Sequence, residues 1–439
     1  MKNLVLITLL LLTVSINAQT APKKKKELIY SLNKDTSEYI KFTFLNQVWL
    51  RHTENNPGST IFNNEQTNTF DVSIRRIRFQ LFGKISDKVF VYTQFGQNNL
   101  NYRTPRKLGL FFLDAITEYH FTPKTLNIGA GLTSWGGPTR YASPSIGSIL
   151  SMDAPLFQQT TADATDQFIR KYSVYAKGKL GKLDYRVAMS TPMSIQNSGA
   201  QNAVIAENAL FSNQPANVHF QGYFMYQFLD QEKNTTPYNT GSYLGKKKIF
   251  NIGVGFIAQK DAMWRLNISD SSIVNSNLNI FAIDVFYDTP INQQKGTAFT
   301  SYASYSLNNY GKNYLRNVGV NNPMNGSNDA TIFNGGGNGF PMMGSGSSIY
   351  AQLGYLSKDS LLGKFGKLQP YVASQFSNFE RLSDPMIMME GGVNWLIDGN
   401  RSKLSLNYQS RPIFKLDVNG NANYDSRKGM IVLQFQTSI

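Results

Sequence analysis

The sequence predicts an all-β protein, a transmembrane antiparallel β-barrel of sixteen strands with short periplasmic turns and long extracellular loops. Three observations predict this class. The chain opens with a secretory leader, its body divides into segments of alternating polarity, and the links between those segments alternate between short and long. Segments of about ten residues joined in this way are typical of outer-membrane barrels, whose strands face lipid on one side and a polar lumen on the other.

Residues 1–18 are predicted to be a cleaved signal peptide. An apolar run extends from Leu4 to Val14, which is too short to cross a membrane as a helix but suits the core of a leader. Ala18 supplies the small residue expected before the cleavage point. No later apolar run approaches the roughly 20 residues of a membrane helix, so we expect any membrane crossing to use strands.

The rest of the chain is predicted to be one repetitive architecture and not several soluble domains. Residues 19–38 are expected to form a flexible periplasmic N-terminal segment, and residues 39–439 the barrel. The 439 residues contain no cysteine, which excludes disulfides, thiolate metal sites and a cysteine nucleophile. Aromatic residues reach 13% alongside abundant Asn, Gln, Ser and Thr, a composition that suits a wall between lipid and water.

Period-two alternation marks the strands. In one segment Leu183, Tyr185 and Val187 lie on one face. Asp184 and Arg186 lie on the other, so we assign the apolar side chains to the lipid face and the charged ones to the lumen. The final segment alternates equally well and is predicted to close the barrel. The sixteen segments are 39–50, 70–84, 88–97, 110–121, 125–134, 168–179, 183–191, 218–229, 248–259, 278–288, 297–307, 348–357, 367–379, 386–397, 402–410 and 427–439.

The links alternate in length. Short periplasmic turns are predicted at 85–87, 122–124, 180–182 and 398–401. Long extracellular loops are predicted at 51–69, 135–167, 192–217, 260–277, 308–347 and 411–426. Two links depart from the pattern, because 230–247 is expected to be a short turn and 380–385 a long loop. The Asn- and Gly-rich loop 308–347 cannot fold alone for lack of apolar residues, although it could pack into a barrel mouth.

Several stretches resemble a known family. Residues 75–84, Arg-Arg-Ile-Arg-Phe-Gln-Leu-Phe-Gly-Lys, resemble the Arg-Arg-x-Arg-hydrophobic-x-hydrophobic-x-Gly signature of the phosphate-selective porin O and P family. Residues 113–119 resemble that family's Asp-Ala-x-x-Glu-Tyr stretch, and 126–131 occupy the place of the strand before its large third loop. Residues 243–256 are similar to a stretch that recurs in distant members.

This resemblance implies a sixteen-stranded barrel, usually a homotrimer, whose third loop folds inward and narrows the channel. Here the constriction loop would be 135–167. The family's loop carries basic side chains that bind phosphate, but this one holds only Arg140 against Asp153, Asp163 and Asp166. Phosphate selectivity is therefore not predicted for this chain.

The formal net charge is +15, but the positions of the charges matter more than their sum. Many basic residues fall in the predicted turns, where they can lie at lipid headgroups. Others are assigned to the lumen, because Arg or Lys facing lipid at mid-depth would cost roughly 2–4 kcal/mol. The pore-lining candidates are Lys41, Arg76, Arg78, Asp114, Glu118, Arg140, Lys171 and Arg186.

Two interpretations of these charges stay open. Arg76 and Arg78 could pair with Asp114 and Glu118 in a structural salt-bridge belt, or the basic side chains could form a ladder that guides anions. Arg75 is expected to point outward on strict alternation and to reach the upper membrane interface.

The predicted function is passive diffusion of small hydrophilic solutes or ions through an outer-membrane porin, with an anion preference if the ladder interpretation holds. No catalytic residue, metal or cofactor is expected, since His52, His120 and His219 are scattered without ligand spacing. The expected partners are outer-membrane lipid, hydrophilic or anionic solutes and further copies of the chain in a homotrimer, without nucleic acid. The alternatives are a barrel that binds partners or serves as a scaffold through 192–217 and 308–347, and a rim-active lipase or protease.

Overall fold

Sixteen antiparallel strands form a closed barrel in the part of the chain that the structure describes. The computed structural model describes residues 27–195 and 205–439, so the predicted signal peptide lies outside them. Each wall strand pairs with its neighbours along the chain, and the last pairs with the first. All sixteen predicted segments overlap a wall strand. The wall strands are β1 Tyr39–Glu54, β2 Asn68–Lys84, β3 Val89–Leu100, β4 Phe111–Thr122, β5 Leu126–Thr133, β6 Lys171–Leu180, β7 Leu183–Thr191, β8 His219–Gln227, β9 Ile249–Leu266, β10 Ile273–Asn292, β11 Thr297–Asn309, β12 Gly346–Leu356, β13 Lys367–Phe379, β14 Met386–Asn400, β15 Ser402–Leu416 and β16 Ala422–Ser438.

The two faces of the wall differ as the alternation predicts. On β10, Phe281 and Ile283 are exposed on the outside, whereas Ala282, Asp284 and Phe286 are buried on the inside. An outer face of apolar side chains matches a hydrocarbon surround, and the inner face holds the polar and charged groups. No helix in the described residues is long and apolar enough to cross a membrane.

The barrel closes between its first and last strands. Trp49 Nε1 of β1 donates a hydrogen bond to Gln434 Oε1 of β16 at 2.8 Å, and Gln47 Nε2 donates to Gln436 Oε1 at 2.8 Å. Beyond the end of β16, the short strand Leu28–Ser31 pairs with the start of β1. Part of the N-terminal segment that the sequence assigns to a flexible region is therefore a strand.

Two predicted long loops are mostly strand. β9 runs to Leu266 and β10 starts at Ile273, so 260–277 is the tip of a long hairpin, and 411–426 is a second hairpin of this kind. The backbone ladder continues because its hydrogen bonds do not depend on side-chain polarity. The apolar alternation on which the prediction rests stops where the strands leave the apolar band. The link 380–385, expected to be long, joins β13 to β14 in six residues.

Three inserts fold into the barrel. The inner loop, residues 134–170, joins β5 to β6 and contains the three short 3₁₀ turns Arg140–Ala142, Ile146–Ser148 and Leu156–Gln158. The turn segment, residues 228–248, joins β8 to β9 at the end of the short turns. The mouth loop, residues 310–345, joins β11 to β12 at the opposite end.

Candidate functional site

The inner loop crosses the lumen and is fixed to the far wall. Gln158 Nε2 donates to Ser304 Oγ of β11 at 2.6 Å, and Asn394 Nδ2 of β14 donates to the Leu150 carbonyl at 2.8 Å. Tyr141 and Phe157 join a buried aromatic cluster on that wall. These contacts fill the half of the lumen that faces β10–β14.

The turn segment enters the barrel and meets the inner loop. Glu232 accepts two hydrogen bonds from the Arg140 guanidinium at 2.7 and 2.5 Å, and both side chains are buried. The Arg140 guanidinium carbon also lies 3.7 Å from the centre of the Phe286 ring. Burial alone would raise the pKa of Glu232, but the Arg140 guanidinium holds this pKa below its ordinary value. The link 230–247, which departs from the predicted alternation, is an insert that folds into the barrel, and Arg140 lies between packed elements where a pore-lining position was predicted.

Tyr238 extends the turn segment to the opposite wall. Its hydroxyl donates to Asp114 Oδ2 of β4 and accepts from Arg170 Nη2 at 2.7 Å. Gln94 of β3 donates to the same carboxylate oxygen at 2.7 Å. The turn segment therefore links β3, β4 and the end of the inner loop into one polar network.

An open space remains between the inner loop and the wall made by β1, β2 and β3. This cavity has a volume of about 460 Å³ and reaches Val318 and Val320 of the mouth loop. A second cavity of about 740 Å³ is lined by residues of the short turns. Ser145, Gly147 and Ser438 line both cavities. Together the two cavities extend from the mouth loop to the opposite end of the barrel, where the second lies beside the turn segment and the ends of β13 and β14.

Two consecutive arginines of β2 reach the first cavity because of a β-bulge. The register of β1 and β2 shifts between Gln47 and Val48, so that Arg75 is the extra residue. A bulge leaves one residue unpaired and re-aims side chains. Arg75 and Arg76 both bind Asp153 of the inner loop, with Arg75 Nη2 at 2.6 Å. Burial alone would raise the pKa of Asp153, but the two arginines hold this pKa below its ordinary value.

Two further arginines line the cavity without a carboxylate partner. Arg78 of β2 donates to the Gln97 carbonyl at 2.7 Å and to Asn98 Oδ1. Arg316 of the mouth loop donates to the Ala162 carbonyl at 2.8 Å. Neither forms a salt bridge with any described carboxylate, and the Nε atom of each is buried without a hydrogen-bond partner. These guanidinium groups keep their positive charge uncompensated.

The side-chain charges around the cavity therefore do not cancel. Five arginines line it, the fifth being Arg170, whose Nε lies 3.3 Å from Asp114. Three carboxylates oppose them: Asp153, Asp114 and Asp163, which itself lines the cavity. Burial raises the pKa of Asp163 to about 6. Five positive and three negative groups leave an excess of two positive charges when Asp163 is ionised.

Four other predicted lining residues form ion pairs inside the barrel. Lys41 pairs with Glu27 at 2.9 Å, Glu118 with Lys177 at 3.0 Å, Lys171 with Asp166 at 3.4 Å and Arg186 with Asp184 at 2.9 Å. All of these side chains except those of Lys41 and Glu27 are buried. They form a belt of compensated charge outside the cavity, although the lumen also holds other buried charged groups, among them Lys403, Arg411 and Asp284.

The proposed cross-pairing between β2 and β4 is wrong. Strands β2 and β4 are two strand spacings apart, or about 10 Å, and the acidic side chains of β4 form ion pairs with closer basic residues. Asp114 binds Arg170, and Glu118 binds Lys177 of β6. The prediction for Arg75 is also wrong, since it is buried in the lumen and lies 5.6 Å from the Trp49 ring. Strict alternation cannot reveal a bulge.

Sequence reasoning missed Arg170 and Arg316 as lining residues. Arg170 falls within the predicted segment 168–179, where alternation with the inward Lys171 would place it on the outer face, but the observed strand β6 starts only at Lys171. Arg316 lies in the mouth loop, and its low-complexity surroundings give no sign that the chain returns into the barrel. One signal was available for the turn segment: it carries Tyr238 and Tyr243 in a link that the pattern required to be short and polar.

Known structures share this architecture at low sequence identity. OprB of Pseudomonas putida is similar with a TM-score of 0.52 and 9% identity, over 91% of this chain and 94% of that one. DcaP of Acinetobacter baumannii is similar with a TM-score of 0.46 and 10% identity, over 92% of this chain and 99% of that one. An anion-selective porin from Comamonas acidovorans has a TM-score of 0.48 and 8% identity, over 92% of this chain and 100% of that one. No family model and no curated protein matches the sequence. The chain thus shares its closed barrel fold with OprB.

Proposed function

We propose that this protein is an outer-membrane porin through which small hydrophilic solutes and ions diffuse passively, with a preference for anions. Export would use the predicted signal peptide at residues 1–18. The observation that carries the proposal is the first cavity along β1, β2 and β3, with five arginines against three carboxylates, which adjoins a second cavity at the end of the short turns. A lumen of this kind needs no cofactor and no energy coupling.

The anion preference follows from electrostatics in a narrow space. Charges of one sign in a cleft with low-dielectric walls concentrate ions of the opposite sign. Rings or rows of Arg in pores act in the same way on permeating anions. The salt-bridge belt elsewhere in the lumen contributes little net field, so selectivity would depend on Arg78 and Arg316.

The inner loop is the proposed constriction. It confines solutes to the side of the lumen where the cavities lie, as the resemblance to the phosphate-selective porin O and P family implies for residues 135–167. The same resemblance supports a homotrimer. Cross-linking of the unheated protein in detergent, followed by electrophoresis, should give a trimer band, and a monomer alone would contradict this assembly.

A scaffold or surface-binding role is the second candidate. The observation that favours it is the packing of the mouth loop across one end of the barrel, where Arg51 donates to the carbonyls of Val320 and Asn321 at 2.9 and 2.8 Å. If this packing closed the barrel to solutes, the exposed surface of the mouth loop would be the part of the protein that binds partners.

Planar-bilayer recording of the purified, folded protein in a KCl gradient separates the two candidates. We expect stepwise conductance and a reversal potential that favours chloride. The variant Arg78→Gln should shift the reversal potential toward zero, whereas Lys312→Gln, which removes an exposed charge paired with Glu207, should not. Absence of steps from a protein whose electrophoretic mobility still changes on heating would overturn the porin proposal and favour the scaffold.

A further inference from the structure

The first cavity combines its arginines with an apolar lining. The side chains beside the guanidinium groups include Phe44, Leu45, Ile146, Leu156, Val318 and Val320. A volume of about 460 Å³ lies in the range of pockets that hold small organic molecules. An inorganic anion such as phosphate needs hydrogen-bond donors on every side, because a charged oxygen against an apolar wall loses its hydration without compensation. The apolar part of this lining offers no such donors.

The donors that are available lie at two separate places. Arg78 is 4% exposed and its Nε has no partner. Its Nη atoms are already bound to Ile77, Gln97 and Asn98. The Nε of Arg316, at the end formed by the mouth loop, is likewise buried without a partner. Buried polar groups are normally satisfied, so each orphaned donor is hydrogen-bonding capacity that the chain itself does not use, next to a cavity that an acceptor from outside the chain can enter.

We propose that the cavity binds organic monocarboxylates with an apolar body, such as an aromatic acid. The carboxylate accepts hydrogen bonds from Arg316 near the mouth and from Arg78 deeper in the barrel. Meanwhile the apolar body packs against Leu45, Val318 and Val320. Guanidinium groups match carboxylates geometrically, and the apolar body removes the apolar lining from water. This inference rests on the proposed anion channel and narrows its solute class from any small anion to amphiphilic organic anions.

Current block by three probes tests the inference in bilayers that contain conducting channels. Benzoate should reduce the chloride current with a saturable concentration dependence. Benzamide, which keeps the apolar ring but lacks the charge, and inorganic phosphate, which keeps the charge but lacks the ring, should need at least roughly tenfold higher concentrations. Equal block by phosphate and benzoate would overturn the proposal, since the site would then recognise charge alone.

Variants assign the two halves of the site. Arg316→Gln and Arg78→Gln should each raise the half-blocking concentration of benzoate by roughly tenfold. Val318→Asn should weaken the benzoate block while leaving the chloride preference in place, because it changes the lining and not the charge. Lys312→Gln is the matched control and should behave as the unmodified protein. Unchanged block in Arg316→Gln and Val318→Asn, both substitutions in the mouth loop, would overturn the proposal even if Arg78→Gln failed to fold.

Calorimetric titration of the detergent-solubilised protein with benzoate separates this inference from the porin proposal. Saturable binding without conductance would support the organic-acid site and contradict the porin proposal. Anion-favouring conductance without benzoate binding would support the porin proposal and contradict the organic-acid site.

Discussion

At the scale of single residues, the bulge at Arg75 has the largest effect on the lumen. It turns two neighbouring arginines toward the same cavity, where strict alternation would send one of them to the lipid face. Asp153 satisfies both, so the bulge attaches the inner loop to the wall. Arg78, two residues further along β2, is left without an acid and supplies uncompensated charge.

Asp163 gives the channel a pH dependence. Its pKa is raised to about 6, chiefly by burial and to a smaller extent by Asp166, while the hydrogen bond from the Phe168 amide and the charges of Arg316 and Arg170 act in the opposite direction. Below pH 6 the carboxyl is neutral, and the positive excess around the cavity grows from two charges to three. We expect the permeability for chloride relative to potassium to rise as the pH falls from 7.5 to 5, as measured by reversal potential.

The control for this dependence is Asp163→Asn. This variant should show the low-pH permeability ratio of the unmodified protein at every pH in that range. If the permeability ratio of Asp163→Asn changed with pH as much as that of the unmodified protein, the titrating group would be a different residue.

At the scale of elements, the turn segment and the inner loop stabilise each other through Arg140 and Glu232. Removing one partner of a buried ion pair leaves an uncompensated charge and costs about 3–5 kcal/mol. Glu232→Gln should therefore lower the temperature at which the electrophoretic mobility of the folded barrel changes. Single-channel conductance should increase as well, since the two inserts would no longer hold each other across the lumen.

Two companion variants make this prediction specific. The double variant Arg140→Met with Glu232→Leu removes both charges and should recover most of the stability, because paired burial of apolar groups carries no charge penalty. Glu207→Gln breaks the exposed pair with Lys312 and should leave that temperature nearly unchanged, because exposed ion pairs contribute little to stability. Equal losses from Glu207→Gln and Glu232→Gln would show that the buried pair has no special role.

The wall strands were predictable and the inserts were not, for a physical reason. A membrane-spanning strand must alternate because lipid lies on one side, so residues such as Phe281, Ala282 and Ile283 record their orientation in the sequence. A loop that folds inward obeys no period. Its position depends on partners far along the chain, such as Glu232 for Arg140 or Arg51 for Asn321.

The charged lining was predictable in part for the same reason. Arg76 and Arg78 were assigned to the lumen from alternation within β2, and both line the cavity. Arg140 also lies inside the barrel, but the turn segment that pairs with it was expected to be a short turn. The net charge of the cavity could therefore be computed only with the loops in place.

At the scale of the whole molecule, the barrel is asymmetric in what it encloses. The inner loop, with parts of the turn segment and the mouth loop, fills the side of β10–β14, where a large hydrophobic cluster packs. The first cavity lies on the side of β1, β2 and β3, and the second continues from it toward the short turns, beside the turn segment and the ends of β13 and β14. The account therefore makes one central claim: solutes pass through the off-centre cavity beside β2 on their way between the mouth loop and the short turns.

Cysteine accessibility tests this claim most directly, because the chain contains no cysteine of its own. Thr43→Cys would place a unique thiol in the cavity, and Ser304→Cys a unique thiol at the inner face filled by the inner loop. During bilayer recording, a negatively charged thiol reagent should lower the conductance of Thr43→Cys and leave that of Ser304→Cys unchanged. A fall in conductance for Ser304→Cys with none for Thr43→Cys would place the path on the opposite side and contradict the account.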